Sequence, residues 1–216
     1  MAGSAWRALV GVFLLAGLAG CTLQREALAP RAGDSGRIAT LVGLDPWSAR
    51  GRIAVRTDRV AGQMNDQTGG QAELDWLQRG AETRLRVNGP LGAGAVELRW
   101  TPQRLTVSRG NGEERREFAG PDDADRFLVE QFGFRFPVQS ARYWLLGVPD
   151  PATAAELRAG PDDRVQGFVQ YGWSVSYVRF ARVAGLLLPV RLVLERPGTR
   201  LKLVIDRWRI GNAALD

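Results

Sequence analysis

The runs Ala72-Glu73-Leu74-Asp75-Trp76, Thr83-Arg84-Leu85-Arg86-Val87 and Val96-Glu97-Leu98-Arg99-Trp100 decide the fold class. In each, apolar and charged side chains alternate with a period of two, the mark of a strand with one dry and one wet face. Glycine, asparagine or proline follows each run within a few residues, as in an antiparallel meander. On the N-terminal side Arg52-Ile53-Ala54-Val55-Arg56 repeats the pattern. On the C-terminal side Leu105 and Val107 continue it, and Glu114–Phe118 closes the first half. Residues 57–70, including Gly69-Gly70, read as a loose first hairpin.

The middle of the chain changes character. Gly120-Pro121-Asp122-Asp123 opens a helix with Asp122 as N-cap and Ala124, Phe127, Leu128 and Phe132 on one stripe. The two aspartates suit a helix start better than acid/base chemistry. A second helix runs from Pro137 to about Leu146, with Gly147 just past its end and Val138, Ala141, Trp144 and Leu145 as its apolar positions. Pro151–Arg158 reads as one more turn. Strands return at Val165–Tyr171, Ser174–Phe180, Leu187–Leu194 and Leu201–Trp208. Before the first strand, Arg37–Leu44 reads as a short helix ended by Gly43 and Pro46. The expectation is a mainly β (α+β) domain of about nine to eleven antiparallel strands with helices inserted mid-chain. A sheet of that size must close or be covered, and the inserted helices are its natural cover.

Composition excludes much chemistry. The chain has 216 residues, 45% hydrophobic and 24% charged, the profile of one globular domain. It has no histidine and one cysteine, which rules out a Ser-His-Asp triad, a Cys-His dyad, a histidine-bearing zinc site and a CxxC redox pair. No GxxxxGK[ST] loop occurs and Lys202 is the sole lysine, so nucleotide-driven work is not expected. No catalytic residue, metal site or cofactor is indicated. The net charge of +6 is carried by scattered arginines, which reads as a solvated sheet face rather than a nucleic-acid surface. It is compatible with a mild attraction to anionic lipid headgroups. Glu73, Asp75 and Glu97 lie beside arginines on the polar strand face, so exposed ion pairing suits them better than a cell-wall hydrolase's carboxylate pair.

The first twenty residues are an address. Met1–Gly20 holds one positive residue, Arg7, then an apolar run too short and glycine-rich to span a bilayer comfortably, and so reads as a secretory signal. Leu18-Ala19-Gly20-Cys21 resembles the lipobox of bacterial lipoproteins, in which the cysteine is acylated and becomes the first mature residue. In that family an aspartate after the cysteine commonly marks inner-membrane retention, so Thr22 implies the outer membrane. Residues 1–20 are then a signal peptide, 21–36 a lipidated tether, and 37–216 the domain.

Several segments, in order along nearly the whole domain, resemble the LolB family of outer-membrane lipoprotein receptors. They include Trp47-Ser48-Ala49-Arg50-Gly51-Arg52-Ile53-Ala54-Val55, Leu74-Asp75-Trp76, Gly89-Pro90-Leu91-Gly92 and Trp144-Leu145-Leu146-Gly147-Val148-Pro149. Gly172-Trp173-Ser174-Val175-Ser176-Tyr177, Leu188-Pro189 and Leu201-Lys202-Leu203-Val204-Ile205 with Trp208 complete the match. Asp45-Pro46 departs from the family and shortens the first helix in this reading. The resemblance implies an unclosed antiparallel β-barrel lidded by helices around an apolar cavity. It implies a protein anchored in the outer membrane and facing the periplasm. This protein would be a monomer and not an enzyme. It would take lipoproteins from the carrier LolA by their acyl chains and release them into outer-membrane phospholipid.

Strand parity and this resemblance together assign the cavity lining to Trp76, Leu85, Val96, Leu98, Trp144, Val175, Tyr177, Leu192 and Leu203. In the second half Val178 and Phe180 offer the opposite parity. Trp100 and Trp173 are candidates for packing outside the cavity. Leu91, at the tip of the Gly89–Gly92 turn, is the expected membrane-insertion residue by the family's pattern. The competing expectation is an outer-membrane lipoprotein with a filled core, acting as a structural or assembly partner.

Overall fold

Hairpins lay eleven strands into one antiparallel path, and the return of the last strand to the first long one joins its two halves. The computed structural model describes residues 26–57, 68–89, 95–112, 114–120 and 134–215, with Asp123, Arg126, Phe127, Val129 and Glu130 between the last two. The first meander comprises β2 (Trp47–Thr57), β3 (Thr68–Arg79), β4 (Glu82–Asn88), β5 (Val96–Thr101), β6 (Arg104–Arg109) and β7 (Glu114–Ala119). The second comprises β8 (Glu156–Ala159), β9 (Val165–Gln170), β10 (Trp173–Val183), β11 (Leu186–Arg196) and β12 (Thr199–Ile210). β12 pairs with β2, giving the order β7-β6-β5-β4-β3-β2-β12-β11-β10-β9-β8. β7 and β8 are the two ends of the path and do not pair with each other among the described residues. The sheet is an unclosed barrel, as expected. A two-residue strand, β1 (Glu26–Ala27), lies against β10.

Two bulges set the curvature and the facing of side chains. β12 gains an extra residue between Ile205 and Arg207, and Ile205 pairs with Gly51 of β2. A Cβ at Gly51 would collide with the Val204 carbonyl, so the bare backbone lets the two strands close up at the bend. In β10 the register shifts between Tyr177 and Phe180. Val175, Tyr177 and Phe180 are therefore all buried, whereas Val178 is 57% exposed. The bulge reconciles the two parities that the sequence offered for this strand.

Helix α1 (Ser35–Val42) starts where Asp34 Oδ1 accepts the Arg37 N–H at 3.0 Å and stops at Gly43. Helix α2 (Val138–Leu146) ends at Gly147, whose φ of 87° suits glycine and lets its N–H reach the Trp144 carbonyl at 3.1 Å. Between β7 and α2, the described residues Gly120, Asp123, Arg126, Phe127, Val129 and Glu130 are helical. Asp122, Ala124, Leu128 and Phe132, assigned to that helix from sequence, lie outside the described residues.

Two expectations are corrected. Residues Glu156–Ala159 form an edge strand on β9 rather than a helical turn, because pairing with Val165–Val169 satisfies their backbone. Gly69 and Gly70 are inside β3, paired with Arg56 and Val55, so the first hairpin is ordered strand up to Thr57 and from Thr68. The stretch 26–34 makes contacts with the domain. β1 pairs with β10, Val165 N–H donates to the Pro30 carbonyl at 2.9 Å, and Arg164 donates to the Ala29 carbonyl at 2.7 Å.

Candidate functional site

The inner face of the sheet is apolar in rows that run across the strands. Trp208, Ala49, Trp76, Leu85, Leu98 and Val107 stand side by side on β12, β2, β3, β4, β5 and β6. A second row joins Tyr177, Leu192, Leu203 and Ile53. Trp47 stacks on Trp76 with centroids 6.1 Å apart and meets Trp208 at 5.5 Å. Where polar side chains enter this face they satisfy one another. Gln78 Oε1 accepts from Thr83 Oγ1 at 2.7 Å and from Trp76 Nε1 at 3.3 Å, and Gln78 Nε2 donates to the Gly80 carbonyl.

Helix α2 lies against this face in the second half and is pinned there. Trp144 is fully buried; its Nε1 donates to Gln170 Oε1 at 2.8 Å, and its carbonyl accepts from the Tyr177 phenol at 2.8 Å. Gln170 also accepts the Asp150 N–H and donates to the Asp150 and Thr153 carbonyls. Asp150 Oδ2 accepts from Ser140 at 2.6 Å and Tyr171 at 3.2 Å. Around this lattice runs an edge-to-face aromatic series in which Phe136 meets Trp173 and Trp144, and Phe168 meets Trp144 and Tyr177. Burial pushes the Tyr177 phenol well above its ordinary value.

The described helical residues between β7 and α2 are held differently. Their buried anchor is Phe127, 4.5 Å from Phe118 of β7, with the Arg116 guanidinium over both rings. At the far end of the connection, Phe134 meets Trp173 at 5.8 Å.

The family model for the outer membrane lipoprotein LolB matches residues 45–208. The chain belongs to the LolB family. Among relatives named outer-membrane lipoprotein LolB, that of Chromohalobacter salexigens is 30% identical over 205 residues, covering 95% of this chain and 90% of the relative. That of Pseudomonas aeruginosa PAO1 is 33% identical over 200 residues, covering 91% of each. A solved LolA superfamily protein, NE2245 from Nitrosomonas europaea, aligns with a TM-score of 0.47 and 12% identity over 79% of this chain and 88% of its own.

In this LolB-family chain, Trp76, Leu85, Leu98, Trp144, Val175, Tyr177, Leu192 and Leu203 are all buried in one core cluster, and Val96 is half-buried against it. Trp100 and Trp173 are buried in the same core cluster. Cys21 and Leu91 lie outside the described residues. Sequence reading missed Gln170 and Asp150, whose partners are distant in the chain. It also missed Arg37, which donates to the Gly147 and Leu187 carbonyls at 3.3 and 3.2 Å beneath Phe180. Burial draws the Arg37 guanidinium below its ordinary value. Among the described residues no group of three or more Cys, Asp or Glu is gathered to hold a metal ion.

Proposed function

We propose that this protein accepts lipoproteins from the periplasmic carrier LolA by taking their acyl chains against its inner face, and then releases them into outer-membrane phospholipid. The observation that carries this reading is an apolar inner face on a sheet whose two ends do not pair among the described residues, with Phe127 packed on Phe118 of the β7 end. Each methylene left in water costs about 0.8 kcal/mol, so moving several acyl chains unshielded would cost tens of kcal/mol. An apolar enclosure removes that barrier with no reacting group. The chain is a transport factor in this reading, not an enzyme.

The two helical elements have separate tasks. Helix α2 is locked to β9 and β10 by buried hydrogen bonds and serves as a fixed floor. The described helical residues around Phe127, which rests on Phe118, are the part that lifts to admit acyl chains. Direction comes from tighter binding here than on the carrier, about 1.4 kcal/mol for each tenfold step. The cationic surface of a +6 chain speeds encounter with an acidic carrier, with an on-rate that falls in salt. Acylation of Cys21 holds the protein at the membrane, and Leu91 enters the bilayer when cargo leaves.

Titration of a Cys21→Ala chain with a fluorescent fatty acid tests the reading. Saturable uptake, weakened by Leu192→Asp in a variant that keeps its circular dichroism, supports it. A folded chain that takes up no fatty acid supports a filled-core structural partner instead.

A further inference from the structure

The outer face of the sheet carries arginines where a purely structural face would alternate charge. Arg50 stands directly opposite Arg207, Arg56 opposite Arg200, and Arg84 opposite Arg99. Like charges placed directly across two strands destabilise the pair. Acids offset much of this: Arg200 pairs with Glu195 at 3.1 Å and Arg99 with Glu82 at 3.5 Å. Arg50 donates to Asp75 at 2.6 Å, while Arg84 and Arg86 share one carboxylate, Glu97, at 2.8 and 2.9 Å. Burial acts to raise the Glu97 carboxyl, but the two guanidinium hydrogen bonds and their charges outweigh it and hold it below its ordinary value. Arg209 has no acidic partner among the described residues.

Four of these arginines converge. Arg50, Arg84, Arg86 and Arg209 line a concavity of about 210 Å³, with Asp75 as the acid in its wall and Ala214 at its rim. Ala214 belongs to the C-terminal turn Gly211–Ala214, tied down by the Gly211 N–H to the Pro46 carbonyl at 2.8 Å. Planar guanidinium forks match the oxygens of a phosphate, which accepts bidentate hydrogen bonds from arginine. A small cationic hollow suits a tetrahedral anion, whereas a protein partner would meet a broad surface.

We propose that this outer-face hollow binds the phosphodiester headgroup of an anionic phospholipid. It gives the domain a hold on the bilayer surface that stays free while the inner face is occupied. The inference rests on the outer-membrane placement of the family, since such a protein sits against a dense array of lipid phosphates. It does not depend on acyl-chain uptake.

Calorimetry on the full chain in neutral maltoside micelles, titrated with glycerophosphoglycerol and separately with inorganic phosphate, tests it. The expected result is headgroup binding that weakens with salt and falls at least tenfold in Arg209→Ala and Arg84→Ala. Arg115→Ala, on the same face but outside the hollow, should leave it unchanged. Phosphatidylglycerol added to the micelles should displace the soluble headgroup. Absence of binding, or binding indifferent to Arg209→Ala, would overturn the proposal. So would inorganic phosphate that binds more tightly than the headgroup and is not displaced by phosphatidylglycerol. An Arg209→Ala effect confined to association with the acidic carrier would overturn it in favour of a protein surface. Fatty-acid uptake by the same Arg209→Ala protein should be normal. Its failure in the unaltered chain would refute acyl-chain binding and leave the headgroup result standing.

Discussion

Trp144 Nε1 and Gln170 Oε1 meet at 2.8 Å with both side chains buried, and this contact fastens helix α2 to β9. Gln170 simultaneously serves the Asp150 N–H and the carbonyls of Asp150 and Thr153. Replacing it with leucine keeps the volume but strands those groups without water. Gln170→Leu should lose about 3 kcal/mol in urea unfolding, because each buried polar group left unpaired costs about 1–3 kcal/mol. A loss below 1 kcal/mol would show that α2 is not pinned by this residue.

Gly51 is the second fixed point. A methyl group there would drive into the Val204 carbonyl at the β2–β12 bend. Gly51→Ala should destabilise the fold by about 1–3 kcal/mol, the range for overpacking a tight site, and lower the melting temperature. Gly70→Ala should not, because a Cβ there meets nothing within 4 Å.

The Tyr177 phenol gives an alkaline signature. Burial raises its ionisation above the ordinary value, and the nearby Arg37 charge pulls the other way. A group whose value is raised in the fold contributes stability that is complete below its unfolded value, about 10 for tyrosine. That contribution is lost as pH rises toward the folded value. Urea midpoints should therefore hold steady from pH 7 to 9 and fall above pH 10. In Tyr177→Phe the hydrogen bond to the Trp144 carbonyl is gone, at about 1 kcal/mol near neutrality, and the alkaline fall should be shallower.

The first meander was legible from alternation alone, because Leu74, Trp76, Leu85 and Leu98 sit on regular strands whose parity never changes. The second half was not, because the β10 bulge between Tyr177 and Phe180 breaks the period of two and has no local marker. The edge strand Glu156–Ala159 was hidden for a related reason: its four residues are all exposed, so no apolar face announced it. The site's apolar members followed from parity. Its polar ones did not, since Gln170 is identified only by partners some twenty residues away and Arg37 by carbonyls on two other elements.

Leu91 falls in sequence between β4 and β5, and its proposed task separates from folding. Leu91→Glu should leave the melting temperature and cargo uptake from the carrier unchanged while blocking release into liposomes. A lowered melting temperature, with release intact per folded molecule, would show that Leu91 packs on the domain instead.

In the proposed reading, cargo acyl chains lie against the inner face of the sheet. Val96 is half-buried on that face and Arg99, three residues along the same strand, points outward. A photo-crosslinking amino acid at each position, in cells and with each variant's fold checked by its melting curve, reads the claim out directly. Lipoproteins should be captured from position 96, and capture should vanish for cargo whose lipidated cysteine is replaced. Capture from position 99 alone, or capture from position 96 that persists with unlipidated cargo, would contradict it.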